Sequence, residues 1–314
     1  MLLLLLLVRD RGQGRLAVGT GADADRPALK PWYRLATCDA GVIARFGPSS
    51  LLFEGAAAHA LLPALLPLLD GTRTLDELAI ALGPHTRPAI QHALAQLDAH
   101  DLLRHAPAAT TPTEELLEAT TWQPRPLSAT SASVLGDGTL ARELRRLLRR
   151  AGFDGVGDGW DGELVVGAPG DEAEQQLREW NETALGLGRP WLAVSPFDGS
   201  IAAVGPLVVP GETACYACYL ARRHVDPYAP SERPVRSRHL SSPALDALLA
   251  GLAALVAVTW LATGDTPALG GILAFELETL LVTRHRVYRA PRCPSCASVA
   301  AALTPWGDGR AVAA

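Results

Sequence analysis

At 314 residues the chain is long for one average domain and comfortable for two. Apolar residues make up 48% and charged residues 19%, which supplies material for packed cores and argues against global disorder. The net charge of −5 argues against a general polyanion binder, because affinity for a phosphate backbone rests on clustered lysine and arginine. Lys30 is the only lysine; every other basic side chain of that class is arginine.

The chain opens MLLLLLLV. This run is far short of the roughly 20 residues that span a bilayer. It has no basic segment ahead of it, and Arg9, Asp10 and Arg11 stand where a small-residue cleavage site should be. An initial strand or a misassigned start codon fits better than a signal peptide. A second apolar stretch, Ala244 to Ala262, is Ala-rich and lies between polar loops, which suits a buried helix rather than a membrane span. A cytosolic protein, not membrane-bound, is expected.

Residues 29–105 carry a compact pattern of short strands followed by helices. Gly41–Phe46 and Ser49–Phe53 are β-type runs around the Gly47-Pro48 turn signal. Apolar residues recur at helical spacing from Ala56 to Leu69 and stop at Asp70-Gly71. Thr74, with Glu77 three residues on, forms a capping box that opens a helix to about Leu82, and Gly83-Pro84 breaks it. A third helix starts near Thr86 with Pro88 in its first turn and Ile90, Leu94 and Leu97 along one face. Leu102-Leu103 begins a closing strand. Strands plus three helices of these lengths suggest a winged helix-turn-helix. A DNA-binding regulator is one reading of that fold, but residues 1–105 hold ten Lys or Arg against ten Asp or Glu. The third helix has no basic stripe, so no nucleic-acid partner is expected.

Residues 106–128 are rich in Pro, Thr and Ala, as in a linker, with a short helix over Glu114–Thr121. From Ala129 strand and helix patterns alternate as in an α/β domain, 129–314. A strand at Ala132–Leu135 runs into Gly136-Asp137-Gly138-Thr139-Leu140-Ala141, a G-x-G-x-x-A turn into a helix reaching about Arg150, with Leu140, Leu144, Leu147 and Leu148 inward. The glycines could serve only the tight turn. Further strands are expected at Glu163–Gly167, Pro190–Ser195 and Ile272–Phe275, with a helix over Asp171–Ala184.

Four of the five cysteines form two C-x-x-C pairs, Cys215/Cys218 and Cys293/Cys296. In a reducing compartment such pairs point to a metal before disulfides. Four thiolates suit tetrahedral structural zinc and leave no open coordination position; a redox disulfide is the other reading. Cys38 reads as a half-buried strand residue.

Two resemblances attach to these motifs. The stretch LLPLLDGTRTLDELAIALG, above all Leu68 to Leu78, resembles the PqqD-type peptide-recognition domain of ribosomal peptide biosynthesis. That resemblance implies a leader peptide added as an extra strand at an edge near Leu51, Leu52 and Phe53 and packed on the helix face of Ile90, Leu94 and Leu97, which is β-augmentation. The glycine turn, GPLVVPGETACYACYLARR and the terminal C-x-x-C resemble the ThiF/MoeB family, whose active members adenylate a carboxylate. Those members need an arginine, a glutamine and a lysine at the ATP phosphates, and an Asn-rich, Arg-Gln-bearing segment after the second strand. Here that region reads GFDGVGDGWDGELVVG, and no lysine follows Lys30. An active ThiF-type adenylating enzyme is thus the alternative, and a fold kept without its ATP chemistry is the main expectation.

The combination is similar to the Ocin-ThiF-like F proteins of thiazole/oxazole and thiopeptide biosynthesis. It implies a non-catalytic accessory protein that holds the precursor leader peptide and docks on a YcaO-type cyclodehydratase, which forms the azolines. A homodimer is left open.

Overall fold

The computed structural model describes residues 7–10 (backbone), 26–104, 111–120, 124–170, 173–223 and 240–297. The chain divides into two compact units, Met1–Ala108 and Ala109–Ala314.

The first unit is a four-stranded antiparallel sheet with helices. Strand β1 is Leu7–Asp10, β2 Arg34–Cys38, β3 Gly41–Phe46 and β4 Ser49–Glu54, in the order β1-β4-β3-β2. The periodic run after β4 is not one helix. Pro63 and Pro67 have no N–H to donate, and the chain breaks into α1 (Ala56–Ala60), α2 (Leu62–Leu65) and a 3-10 turn at Leu66–Leu68. Helix α3 (Leu75–Leu82) starts at a complete capping box. The Glu77 amide donates to Thr74 Oγ1 at 3.3 Å, and the Thr74 amide donates to Glu77 Oε2 at 2.7 Å. Helix α4 (Arg87–Ala99) follows, with Ile90, Ala93 and Leu97 buried. Leu103 makes one isolated bridge to Leu29 rather than a strand.

The second unit begins with helix α5 (Pro112–Thr120) and is built on a seven-stranded mixed sheet. Its strands are β5 (Ala132–Leu135), β6 (Val156–Gly157), β7 (Leu164–Gly167), β8 (Trp191–Ser195), β9 (Ile201–Val208), β10 (Gly271–Glu276) and β11 (Leu281–Arg286). Their order is β11-β10-β9-β8-β7-β5-β6. The pairs among β5, β6, β7 and β8 are parallel; from β8 to β11 every pair is antiparallel. Both faces are covered, so β5, β7 and β8 are buried throughout and mostly apolar, with Ser133 and Ser195 the polar exceptions.

Helices α6 (Thr139–Ala151) and α9 (Pro243–Thr263) pack on one face with Leu144, Leu148, Leu249 and Ala253 in its core. Helix α9 is long and apolar enough to cross a membrane by length and composition; in this fold 50% of its apolar window is buried, with Leu249, Ala253, Val256 and Leu261 in that core, while Leu248 and Leu255 are exposed. Helices α7 (Ala173–Leu187) and α8 (Tyr216–Arg223) cover the other face, where Trp191, Leu177 and all four paired cysteines lie in one apolar cluster.

The glycine turn separates its two glycines by role. Gly136 has φ +109°, and a Cβ there would lie 2.0 Å from the Ala168 carbonyl oxygen. Gly138 has φ −70° with nothing closer than 3.7 Å. Arg145 then fixes the turn from the helix, its guanidinium donating to the carbonyls of Val134 and Gly136, both at 2.7 Å.

Candidate functional site

The two C-x-x-C pairs lie 75 residues apart in sequence, from Cys218 to Cys293, and meet in space. Cys215 immediately precedes α8, Cys218 sits in its first turn, and Cys293 and Cys296 lie on the turn that follows β11. All four sulfurs fall within 4.8 Å of one another, and all four residues are buried. The nearest separations are 3.8 Å for Cys215–Cys218, 3.7 Å for Cys215–Cys293 and 3.6 Å for Cys218–Cys296. A tetrahedral ion with Zn–S bonds of about 2.3 Å sets its sulfurs about 3.8 Å apart, so the thiols fit a metal such as zinc.

The electrostatics agree with that fit. Burial pushes the Cys215 thiol up, and it pushes Cys296 up to about 11. Burial also raises Cys293, but amide N–H groups of Cys296 and Ser295 aimed at its sulfur hold it below its ordinary value on balance. A cluster of buried thiols resists carrying several negative charges unless a cation compensates them. A further N–H is placed for a charged sulfur: the Ala290 amide donates to Cys218 Sγ at 3.3 Å.

The loops that carry the cysteines are cross-braced by two arginines that the motif reading did not single out. Arg222, at the end of α8, donates to the carbonyls of Tyr288 and Arg289, the latter at 2.8 Å. Arg289 reciprocates, donating to the carbonyls of Thr213 (3.2 Å) and Gly211. Each cysteine loop thus holds the other independently of any ion.

In the first unit the six peptide-contact candidates divide. Phe53, Ile90 and Leu97 are core residues, 1%, 0% and 1% exposed, while Leu51, Leu52 and Leu94 are half-buried. Strand β4 is also not a sheet edge, contrary to the sequence-based expectation. It pairs with β3 on one side and with β1 on the other, through Leu7↔Glu54, Val8↔Phe53, Arg9↔Leu52 and Asp10↔Leu51. The reason is that part of the N-terminal apolar run does form a strand, and β4 is where it docks. Cys38 is exposed rather than half-buried, because β2 is the opposite edge and exposes every one of its residues.

A cavity of about 510 Å³ opens where α6 and α9 begin, lined by Thr139, Glu143, Ser241, Ser242 and Asp246 among others. Both Thr139 and Ser241 hydroxyls donate to the Asp246 carboxylate. Among the described residues that line it there are two carboxylates and no cation.

No family model matches the chain, and no curated protein matches it. Solved structures do. The heterocyclase TruD superimposes with a TM-score of 0.64 and 25% identity, covering 86% of this chain and 42% of its own. A heterocyclase in complex with substrate and cofactor gives 0.66 at 21% identity, covering 87% and 39%. Escherichia coli MccB with ATP gives 0.55 at 13%, covering 86% and 99%, and the microcin C7 biosynthetic enzyme MccB has also been solved with N-formylated MccA. The chain therefore spans about two fifths of the length of the heterocyclases it matches, and it shares its mixed α/β fold with those heterocyclases and with MccB.

Proposed function

We propose that this chain binds the leader segment of a ribosomally made precursor peptide as a strand added to β4, and presents it to a YcaO-type cyclodehydratase that forms azolines. The first unit is the peptide-recognition part, a PqqD-like winged helix, and the second is a ThiF-like scaffold without ATP chemistry. The observation that carries this reading is that β4 pairs along Leu51–Glu54 with a strand from outside the β2–β4 run. A backbone edge that takes an extra antiparallel strand, beside half-buried Leu51, Leu52 and Leu94, has what strand addition needs. The likeness to heterocyclases, and to the microcin C7 biosynthetic enzyme MccB solved with N-formylated MccA, supports the same choice.

Zinc is the metal we assign to Cys215, Cys218, Cys293 and Cys296. With four thiolates bound it has no open position, so its contribution is to fold the second unit. Holding the leader raises the local concentration of the rest of the precursor at the partner's active site, with no contact to the reacting residues required. Two features support a non-catalytic role: the carboxylates in the cavity at the α6 turn, and the absence of lysine after Lys30. A nucleic-acid role is disfavoured because Arg87, the sole Lys or Arg on α4, is paired with Asp76 at 2.8 Å. We place the protein in the cytosol, where thiols stay available to a metal.

The test is reconstitution. Precursor, ATP and the YcaO-type enzyme are mixed with and without this chain, and loss of water from the precursor is followed by mass spectrometry. Cyclisation that depends on the chain supports the reading. Equal cyclisation without it, or ATP–pyrophosphate exchange by the chain alone, overturns it in favour of no role or of an adenylating enzyme.

A further inference from the structure

Strands β2, β3 and β4 follow one another through two-residue turns at Asp39-Ala40 and Gly47-Pro48. Strand β1 does not belong to this local run, since residues 11–33 separate it from β2. It joins from a distance, on the one side of β4 that the meander leaves open. Its four register pairs cover Leu51, Leu52, Phe53 and Glu54.

A strand has two hydrogen-bonding edges. One edge of β4 is held by β3 over Ser49–Glu54, and the other is held by β1. A guest strand on β4 and β1 therefore exclude each other. Residues 11–25 join Asp10 to the described chain at Arg26, a length that can extend to about 50 Å. The covalent link thus allows β1 to leave the sheet while keeping it at an effective concentration on the order of millimolar for its return.

We infer that Leu7–Asp10 is a resident stand-in for the peptide: it closes the β4 edge in the peptide-free protein, and the leader binds by strand exchange. This rests on the strand-addition reading above and adds regulation to it. The resident strand lowers the apparent affinity of any guest by the fraction of time the edge is covered. It also protects an otherwise open edge from pairing with other chains. Guests are selected by their ability to outcompete a tethered four-residue pairing, so a short or weakly pairing peptide fails although the edge itself is indifferent to sequence.

The experiment uses a defined probe, a fluorescein-labelled peptide of residues Leu5–Gly12 extended by two lysines for solubility. Fluorescence polarisation is measured against the full chain and against a variant beginning at Arg26. The shortened protein should bind the probe at least tenfold more tightly than the full chain. A second variant guards against misfolding of the shortened one: Leu7→Cys with Glu54→Cys, opposite each other in the ladder, in a Cys38→Ser background. Oxidised, this full-length protein should exclude the probe, and reduction should restore binding. Equal probe affinity for the full and shortened chains, or undiminished binding to the oxidised variant, overturns the inference. The precursor leader is then used as competitor. A leader that binds the full chain as tightly as the shortened one leaves strand addition standing and removes the stand-in. A probe that binds only the shortened chain, undisplaced by the leader, keeps the stand-in and removes the leader reading.

Discussion

Val8 pairs with Phe53 across the β1–β4 ladder, and Phe53 pairs in turn with Val42 across β3–β4. The strand that is proposed to receive a guest is therefore interior to the sheet, with both of its hydrogen-bonding edges in use. The Phe53 side chain lies in the core with Val42, Ile90 and Leu97. Selectivity for a guest falls to the half-buried neighbours of that core.

On the proposed reading, Leu94 and Leu97 separate recognition from folding on one helix. Leu94 is half-buried and Leu97 is 1% exposed. Leu94→Glu should leave the circular dichroism spectrum unchanged and weaken leader binding at least tenfold, because it sets a carboxylate against apolar contact surface. Leu97→Glu should unfold the first unit, since a buried unpaired carboxylate costs several kcal/mol. Parallel circular dichroism and polarisation on both variants check this pair.

Metal analysis should find one zinc per chain in protein prepared without chelator. Structural zinc sites contribute apparent free energies of about 10–16 kcal/mol, so Cys215→Ser or Cys296→Ser should give poorly soluble or partly unfolded protein. Cys38→Ser, on an exposed edge strand, should leave the melting temperature unchanged. Arg289→Ala removes the brace to Thr213 and Gly211 without touching a ligand. It should keep the metal but lose it faster to EDTA than the parent protein does.

The glycine turn predicts an asymmetry. Gly136→Ala brings a Cβ against the Ala168 carbonyl at positive φ and should destabilise the second unit by roughly 2 kcal/mol or more. Gly138→Ala meets only an ordinary van der Waals contact, 3.7 Å from Gly170 Cα, at an ordinary φ and should cost under about 1 kcal/mol. Urea unfolding of the two variants compares them directly.

The capping box gives the first unit an acid-sensitive element. The Thr74 amide and hydroxyl hold the Glu77 carboxyl below its ordinary value, and the Thr72 hydroxyl and amide, with Arg73, hold Asp70 at about 2. Both pKa values are depressed in the folded state. Their stabilisation is complete above the ordinary carboxylate range near pH 4 and is lost as pH falls toward 2. Glu77→Ala removes the titrating partner of the Thr74 amide and should lower the urea midpoint at pH 7 more than at pH 2, where the parent carboxyl is protonated.

Local signals carried most of the helices and the parallel strands into the sequence reading. Thr74 and Glu77 announce their helix because the cap is a local bond pattern, and Gly136 announces its turn because only glycine tolerates that φ. The meeting of Cys215 and Cys218 with Cys293 and Cys296 was legible from residue type alone, although a long sequence separation hides the geometry. Other features depend on tertiary pairing and left no local trace. Strand β11, with nearly all its residues exposed, lacks the apolar alternation of a half-buried strand and exists because β10 offers an edge. Strand β9 carries Gly205 and Pro206 inside a sheet, which reads as a break. The docking of β1 on β4 is the same kind of fact, since an apolar leucine run says nothing about which edge it will find. The Arg222–Arg289 brace was invisible because guanidinium-to-carbonyl bonds between distant loops have no sequence period.

The most direct measurement of the central claim is fluorescence polarisation of a labelled leader, the N-terminal half of the cognate precursor peptide, titrated with the full-length protein at low and high salt. Main-chain pairing on β4 with apolar contacts at Leu51, Leu52 and Leu94 predicts saturable binding that changes little with salt and is lost in Leu94→Glu. Absence of binding by both the full chain and the variant beginning at Arg26, or binding that collapses with salt and ignores Leu94→Glu, would contradict it.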